Sequence, residues 1–196
     1  DETSAILNTL EFFDPGTQVW SLAPSGGTSR VDHASAVSGN RIYFWGGNDG
    51  VGNLNSVDIY VVDPWYAGPS GGRSRTGHTG VSYNSKLYFW GGQDSAGTAL
   101  DTQDIFDSTQ NSWSTGAPGG TSRYHHSGTV IEDKVYYWGG QGSDGTLANM
   151  DRVDIYRFLE DRWDSTGGVG GRVRSSHSAV TYDSKIYFWG GKDSTG

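Results

Sequence analysis

The 196-residue chain has no cysteine, which removes disulfide frameworks, thiolate nucleophiles and thiolate metal sites from consideration. Hydrophobic residues make up only 34% of it while aromatics make up 13%, so most buried apolar area must come from Trp, Tyr and Phe, a balance that favours sheets over helices. Long apolar runs are absent, and the opening DETSAILNTL lacks the basic-then-apolar order of a signal peptide. Lys and Arg number 14 against 22 Asp and Glu, for a net charge of -8, and no stretch gathers the cations into a stripe. That excludes tracking along nucleic-acid phosphates and docking on an anionic membrane. A cysteine-free, acidic, Gly/Ser-rich composition suits a secreted or periplasmic bacterial protein, and the length suits a single domain over residues 1–196.

What the chain does have is glycine, 31 residues of it, ordered in pairs. IYFWGG at 42–47 returns as LYFWGG at 87–92, VYYWGG at 135–140 and IYFWGG at 186–191, so the double glycines begin at Gly46, Gly91, Gly139 and Gly190, spaced 45, 48 and 51 residues apart. Each period carries the same order of events. An Arg-x-x-His step (Arg30 to His33, Arg75 to His78, Arg123 to His126, Arg174 to His177) precedes the aromatic run. A polar loop follows it, then an acidic-apolar-aromatic triplet (Glu11-Phe12-Phe13, Asp58-Ile59-Tyr60, Asp104-Ile105-Phe106, Asp154-Ile155-Tyr156) and a late tryptophan (Trp20, Trp65, Trp113, Trp163).

Runs of four to seven β-branched and aromatic residues bounded by turn residues predict about four strands per repeat, one blade of an all-β propeller. In IYFW both alternating faces are apolar, so that strand must be covered on both sides. Neighbouring blades supply the cover, and the glycines allow a sharp turn beside their crowded inner edges.

The Gly-Gly pairs after YFW or YYW, the downstream acidic-x-aromatic triplet and the late Trp, repeated across essentially the whole chain, resemble the kelch repeat. The resemblance implies a four-bladed kelch-type β-propeller with four antiparallel strands per blade. Its internal blades are expected at 30–74, 75–122 and 123–171. A fourth blade, built from 1–29 and 172–196, would close the ring by pairing N-terminal with C-terminal strands, as family members do. A fragment of a larger ring, or strand exchange into an oligomer, is the alternative to a closed monomer. DPWYAGPSGG lacks the four residues that DPGTQVWSLAPSGG places before Trp20, so the outer hairpin of the first internal blade should be short.

In that family the ligand face is formed by the start of the innermost strand and the loop after Gly-Gly. Carried over, the candidate contacts are Asn48, Gln93, Gln141 and Lys192 directly after the glycines, and Asp32, His125 and Ser176, with Gly77 in the second repeat, two past each arginine. These positions differ between repeats on a uniform frame, as recognition of an asymmetric ligand requires. Arg30, Arg75, Arg123 and Arg174 join the candidate set because a guanidinium can clamp a carboxylate, although their uniform recurrence points to pairing with the triplet acids or capping carbonyls at the blade junction. The four repeat histidines are expected in the blade junctions, hydrogen-bonded there; facing the axis, they would form a ring able to hold a transition metal. Loops such as NDGVGN and QDSAGT combine Asp with Gly as tight turns do, without the spacing of a calcium loop.

No catalytic residue, metal or cofactor is therefore expected. The leading reading is a binding module for a protein, peptide or glycan, with a structural ring in a larger secreted protein as an alternative. A second alternative is a sugar-modifying enzyme of epimerase or lyase type, for which Asp32 and His125 are the only acid–base pair to nominate. Resemblance to the galactose oxidase propeller does not extend to its chemistry, which needs a cysteine.

Overall fold

The computed structural model describes residues 5–61, 65–147, 150–164 and 167–194. Sixteen strands and no helix are found among them. The first internal blade runs β3 (Ala34–Ser38), β4 (Arg41–Trp45), β5 (Val57–Tyr60) and β6 (Trp65–Ala67). The second is β7 (Thr79–Tyr83), β8 (Lys86–Trp90), β9 (Gln103–Asp107) and β10 (Ser112–Thr115), and the third β11 (Ser127–Ile131), β12 (Lys134–Trp138), β13 (Asp154–Arg157) and β14 (Arg162–Asp164). Each is an antiparallel meander paired in sequence order. β1 (Glu11–Asp14) with β2 (Val19–Leu22), and β15 (Ser178–Tyr182) with β16 (Lys185–Trp189), are two-stranded sheets at the two ends of the chain.

Local chemistry explains the strands. The first two of each blade are joined by two-residue loops, as where Tyr83 pairs Lys86 across Asn84 (φ 46°) and Ser85 (φ 60°). Both loop residues take the left-handed conformation of a turn whose twist matches the strands it joins. The short outer hairpin is visible in register: β5–β6 pairing ends at Tyr60–Trp65, whereas β1–β2 continues past Phe13–Trp20 to Asp14–Val19. Its turn, residues 62–64, lies outside the described residues.

Blades stack through their first strands, β3 on β7, β7 on β11 and β11 on β15. The wedges between them are filled with rings. Trp45 and Trp90 are completely buried; Trp45 lies 4.6 Å from Phe89 and 5.2 Å from Trp113 of the next blade, and Trp90 lies 4.5 Å from Tyr137 and 4.9 Å from Trp163. Each indole N–H is satisfied, Trp90 Nε1 donating to the carbonyls of Asp101 and Gly119 at 3.1 Å each.

The first three glycine pairs sit where successive blades touch. Gly91 has φ 71°, and a Cβ there would meet the Arg123 carbonyl oxygen at 2.7 Å and His126 Cε1 at 2.6 Å. Its neighbour Gly92 donates its N–H to that same carbonyl, so only backbone fits.

The fold differs from expectation at one point. Among the described residues β1–β2 and β15–β16 are separate two-stranded sheets, and the expected pairing of N-terminal with C-terminal strands is not seen. Packing between consecutive repeats fixes each blade on its neighbour, but nothing in that local pattern dictates the angle summed over the arc.

Candidate functional site

The axial mouth is built by residues two past each arginine. Asp32, His125 and Ser176 adopt φ of 51°, 52° and 55°, and Gly77 adopts 65°. Their backbones form a chain of hydrogen bonds around the axis: Gly77 N–H to Asp32 O at 3.0 Å, His125 N–H to Gly77 O at 2.7 Å, Ser176 N–H to His125 O at 2.8 Å. The left-handed turn is costly for a residue with a side chain and is held here by these bonds. It leaves the side chains of Asp32, His125 and Ser176 free of the sheet.

The residue after each glycine pair is tied to the same rim. Asn48, Gln93, Gln141 and Lys192 bridge Val31, Thr76, Tyr124 and Ser175, the residues just before the axial four. The two sets therefore lie beside one another. Their freedom differs. Asn48 is engaged locally, its Nδ2 donating to Asn53 Oδ1 at 3.0 Å and its Oδ1 accepting from the Gly50 N–H at 2.7 Å; Gln141 Nε2 donates to the Gly145 carbonyl at 3.1 Å. Lys192 and Ser176 are exposed.

Four of the predicted residues converge. His125, Gln141, Ser176 and Lys192, with Leu147 and Asp193, line a groove of about 560 Å³ between the third and fourth repeats, within the roughly 300–1,000 Å³ usual for ligand sites. Leu147 was not legible as a contact in sequence, and neither was Tyr124, whose ring lies 4.9 Å from that of His125. Asp32 also reaches this region: His125 Nε2 lies 4.0 Å from Asp32 Oδ1, too far for a direct hydrogen bond. Gln93 and Asn48 lie further round the rim.

Three predicted contacts are corrected. Arg30, Arg75 and Arg123 are buried, and each pairs through Nη2 with the triplet acid of its own blade, Asp58, Asp104 and Asp154. Nη1 donates to the first glycine carbonyl, Gly46, Gly91 or Gly139, at 2.7–2.8 Å. With every donor turned inward, these guanidiniums cannot meet a ligand. Arg75 also lies over the Trp45 ring at 5.6 Å, and burial pushes the acidity of both Arg75 and Arg123 toward the neutral form against the pull of the carboxylate. Arg174 bonds the carbonyls of Arg172 and Gly190 and is more exposed.

The histidines occupy the junctions rather than the axis. His78 and His126 are edge-on to Trp45 and Trp90 at 4.9 and 5.0 Å, and His177 is edge-on to Trp138 while its Nε2 lies 2.7 Å from Ser127 Oγ. Desolvation, with the neighbouring arginine second, holds the first two well below the ordinary histidine range and takes His177 to about 4. The bond expected within the junction is seen for His177; both ring nitrogens of His126 lack a partner among the described residues. In the loops, Asp49 Oδ1 accepts from the Val51 and Gly52 N–H groups and Asp94 Oδ1 from Ala96 and Thr98, the geometry of a tight Asp turn.

Four aromatic strands ending in Gly-Gly, three of them locked by a buried arginine–aspartate pair and a wedge tryptophan, match a known repeat. The model of the KLHDC2/KLHL20/DRC7 Kelch-repeats domain matches residues 65–196. The chain belongs to the Kelch-repeat family. No curated protein matches it. Kelch-repeat domains are in general protein-interaction modules without catalytic activity. In this Kelch chain the variable residues, and not the repeated framework, line the groove.

Proposed function

We propose that the protein binds a segment of another protein in the groove at its axial mouth, with His125, Gln141, Ser176 and Lys192 as contacts and Asp32 and Gln93 extending the surface round the rim. The observation that carries this reading is the convergence of four side chains that differ between otherwise equivalent repeats. A uniform frame supports them, so each can vary without cost to the fold.

The rim favours a ligand bearing Lys or Arg. The turn N–H groups hold the Asp49 and Asp144 carboxyls below the usual carboxylate range, so both are charged at neutral pH. Each uses only Oδ1 in its turn, leaving Oδ2 for a donor. Planar amides and an imidazole suit peptide groups.

The test is selection from a random peptide library, followed by titration of a selected peptide against the chain and against His125→Ala/Gln141→Ala/Lys192→Ala. The triple variant should bind at least about tenfold more weakly with an unchanged melting temperature, each contact costing about 1 kcal/mol or more at a groove centre. Unchanged binding by that variant, or selection of glycans over peptides on a parallel array, would overturn the reading.

A further inference from the structure

The junction between the first and second internal blades is not filled as the next junction is. Where the second blade meets the third, Phe158 follows β13 and its ring stacks on Tyr83 at 4.4 Å and 9°, packed also against Tyr88 at 4.6 Å. Register fixes the equivalents one blade earlier. Tyr83 and Ser38 each pair with the first residue of the following strand, Lys86 and Arg41. Tyr88 and Tyr43 face Ile105 and Ile59. Phe158 and Ser108 each donate a backbone N–H at 3.0 Å to the second residue of their own blade's first turn, Asp133 and Ser85.

The Tyr–Phe stack of one junction is therefore two serines in the other, with Ser38 Oγ and Ser108 Oγ 2.9 Å apart. Two rings are missing, and a cavity of about 640 Å³ opens there. It is lined by those serines, by the buried Tyr43 and Ile59, by the half-exposed Tyr66 and by Arg41. It lies beside the β3–β4 turn, at the opposite end of the strands from the axial mouth.

Charge has changed along with shape. In the second blade Lys86 faces Asp107 across β8 and β9; one step past the Ile42–Tyr60 pair, the residue opposite Arg41 is Val61. Asp161 in the next junction accepts the Ala117 N–H, and its equivalent here, two residues before the late tryptophan, is the neutral Asn111, which lines the cavity. Two acids are thus replaced while the cation stays. No Asp or Glu lines the cavity, and among the described residues Arg41 has no acidic partner. Arg41 and Tyr43 lie on one face of β4, so guanidinium and ring border the same space.

We propose that this cavity binds a small aromatic carboxylate. Its ring takes the place against Tyr43 that Phe158 occupies against Tyr88 in the next junction, and its carboxylate pairs with the Arg41 fork. The volume lies within the roughly 300–1,000 Å³ of ligand sites, enough for a ring together with an acid-bearing stem. The site is separate from the peptide groove, so either can fail without the other.

The probe is 3-phenylpropionate, with its neutral amide as control. The acid should bind saturably with a dissociation constant of about 1 mM or below, and the amide at least about tenfold more weakly. In spectra of the labelled chain the amides of Arg41, Tyr43, Tyr66 and Asn111 should shift while those of His125 and Lys192 stay still. Arg41→Gln, at an exposed position, should weaken the acid by about tenfold and leave the amide unchanged. Ser38→Tyr with Ser108→Phe rebuilds the stack of the next junction and should abolish binding of both probes, near-ultraviolet circular dichroism reporting that the fold persists. Absence of saturable binding by the acid, equal affinity for acid and amide, or binding that Arg41→Gln leaves unchanged would overturn the proposal.

Discussion

His125 Nε2 lies 4.0 Å from Asp32 Oδ1 across the bare backbone of Gly77. The two belong to alternate repeats, and the imidazole reaches over the intervening one because nothing projects from it. A Cβ on Gly77 would stand 2.8 Å from His125 Cδ2, at a φ of 65°. Gly77→Ala should therefore displace His125, lose peptide binding in the groove and cost about 1–3 kcal/mol from the left-handed backbone alone. Urea unfolding measures the stability, and the imidazole signals in a proton NMR spectrum report the displacement.

The arginine–aspartate pairs hold blades together from inside. Arg75→Met leaves the Asp104 carboxylate buried and uncompensated, and should destabilise the chain by about 3–5 kcal/mol. Adding Asp104→Leu should recover much of that loss, since the remaining charge goes with it. Urea midpoints of the two variants check the order, Arg75→Met lying below the double variant.

Wedge and edge tryptophans should separate cleanly. Trp90→Ala empties a fully enclosed site between two blades and should cost about 3–5 kcal/mol. Trp20, exposed on the outermost strand of its sheet, should change stability by no more than about 0.5 kcal/mol on replacement by alanine. Thermal melts followed by circular dichroism suffice.

Acid should unfold the protein through its histidines. Burial lowers the folded-state pKa of His33, His78, His126 and His177 from 6.5, the last to about 4. Above 6.5 both folded and unfolded chains hold these rings neutral, and they add no pH dependence. As pH falls below 6.5 the unfolded chain takes up protons that the folded chain refuses, so stability declines until each folded value is passed, near pH 4 for His177. Unfolding free energy measured from pH 7.5 to 4.5 should fall with pH, and His126→Gln should flatten the slope by about one proton, or 1.4 kcal/mol per pH unit.

Much of this was legible in the chain because it repeats. Four strands per blade, the pairing of Arg75 with Asp104 and the glycine contacts follow from short-range patterns that recur in register, and the kelch resemblance pointed to Asn48, Gln93, Gln141 and Lys192, which bridge the residues just before the axial turn. The relation of the two ends was not legible. It depends on the angle each wedge of rings imposes, which arises from the packing of Trp45 on Phe89 and Trp113 and has no counterpart in spacing. Nor did strand alternation settle where His78 points, since the strand begins only at Thr79. The approach of His125 to Asp32 depends on a glycine at one position and a left-handed turn at the two others.

The account rests on the groove, rather than the repeated frame, being where a protein ligand is read. Chemical-shift mapping of the isotopically labelled chain with a library-selected peptide tests this most directly. Amide signals of Asp32, Gln93, His125, Gln141, Ser176 and Lys192 should move while those of the outer strands β6, β10 and β14 stay still. Shifts concentrated on the outer strands, with the axial residues unmoved, would contradict it.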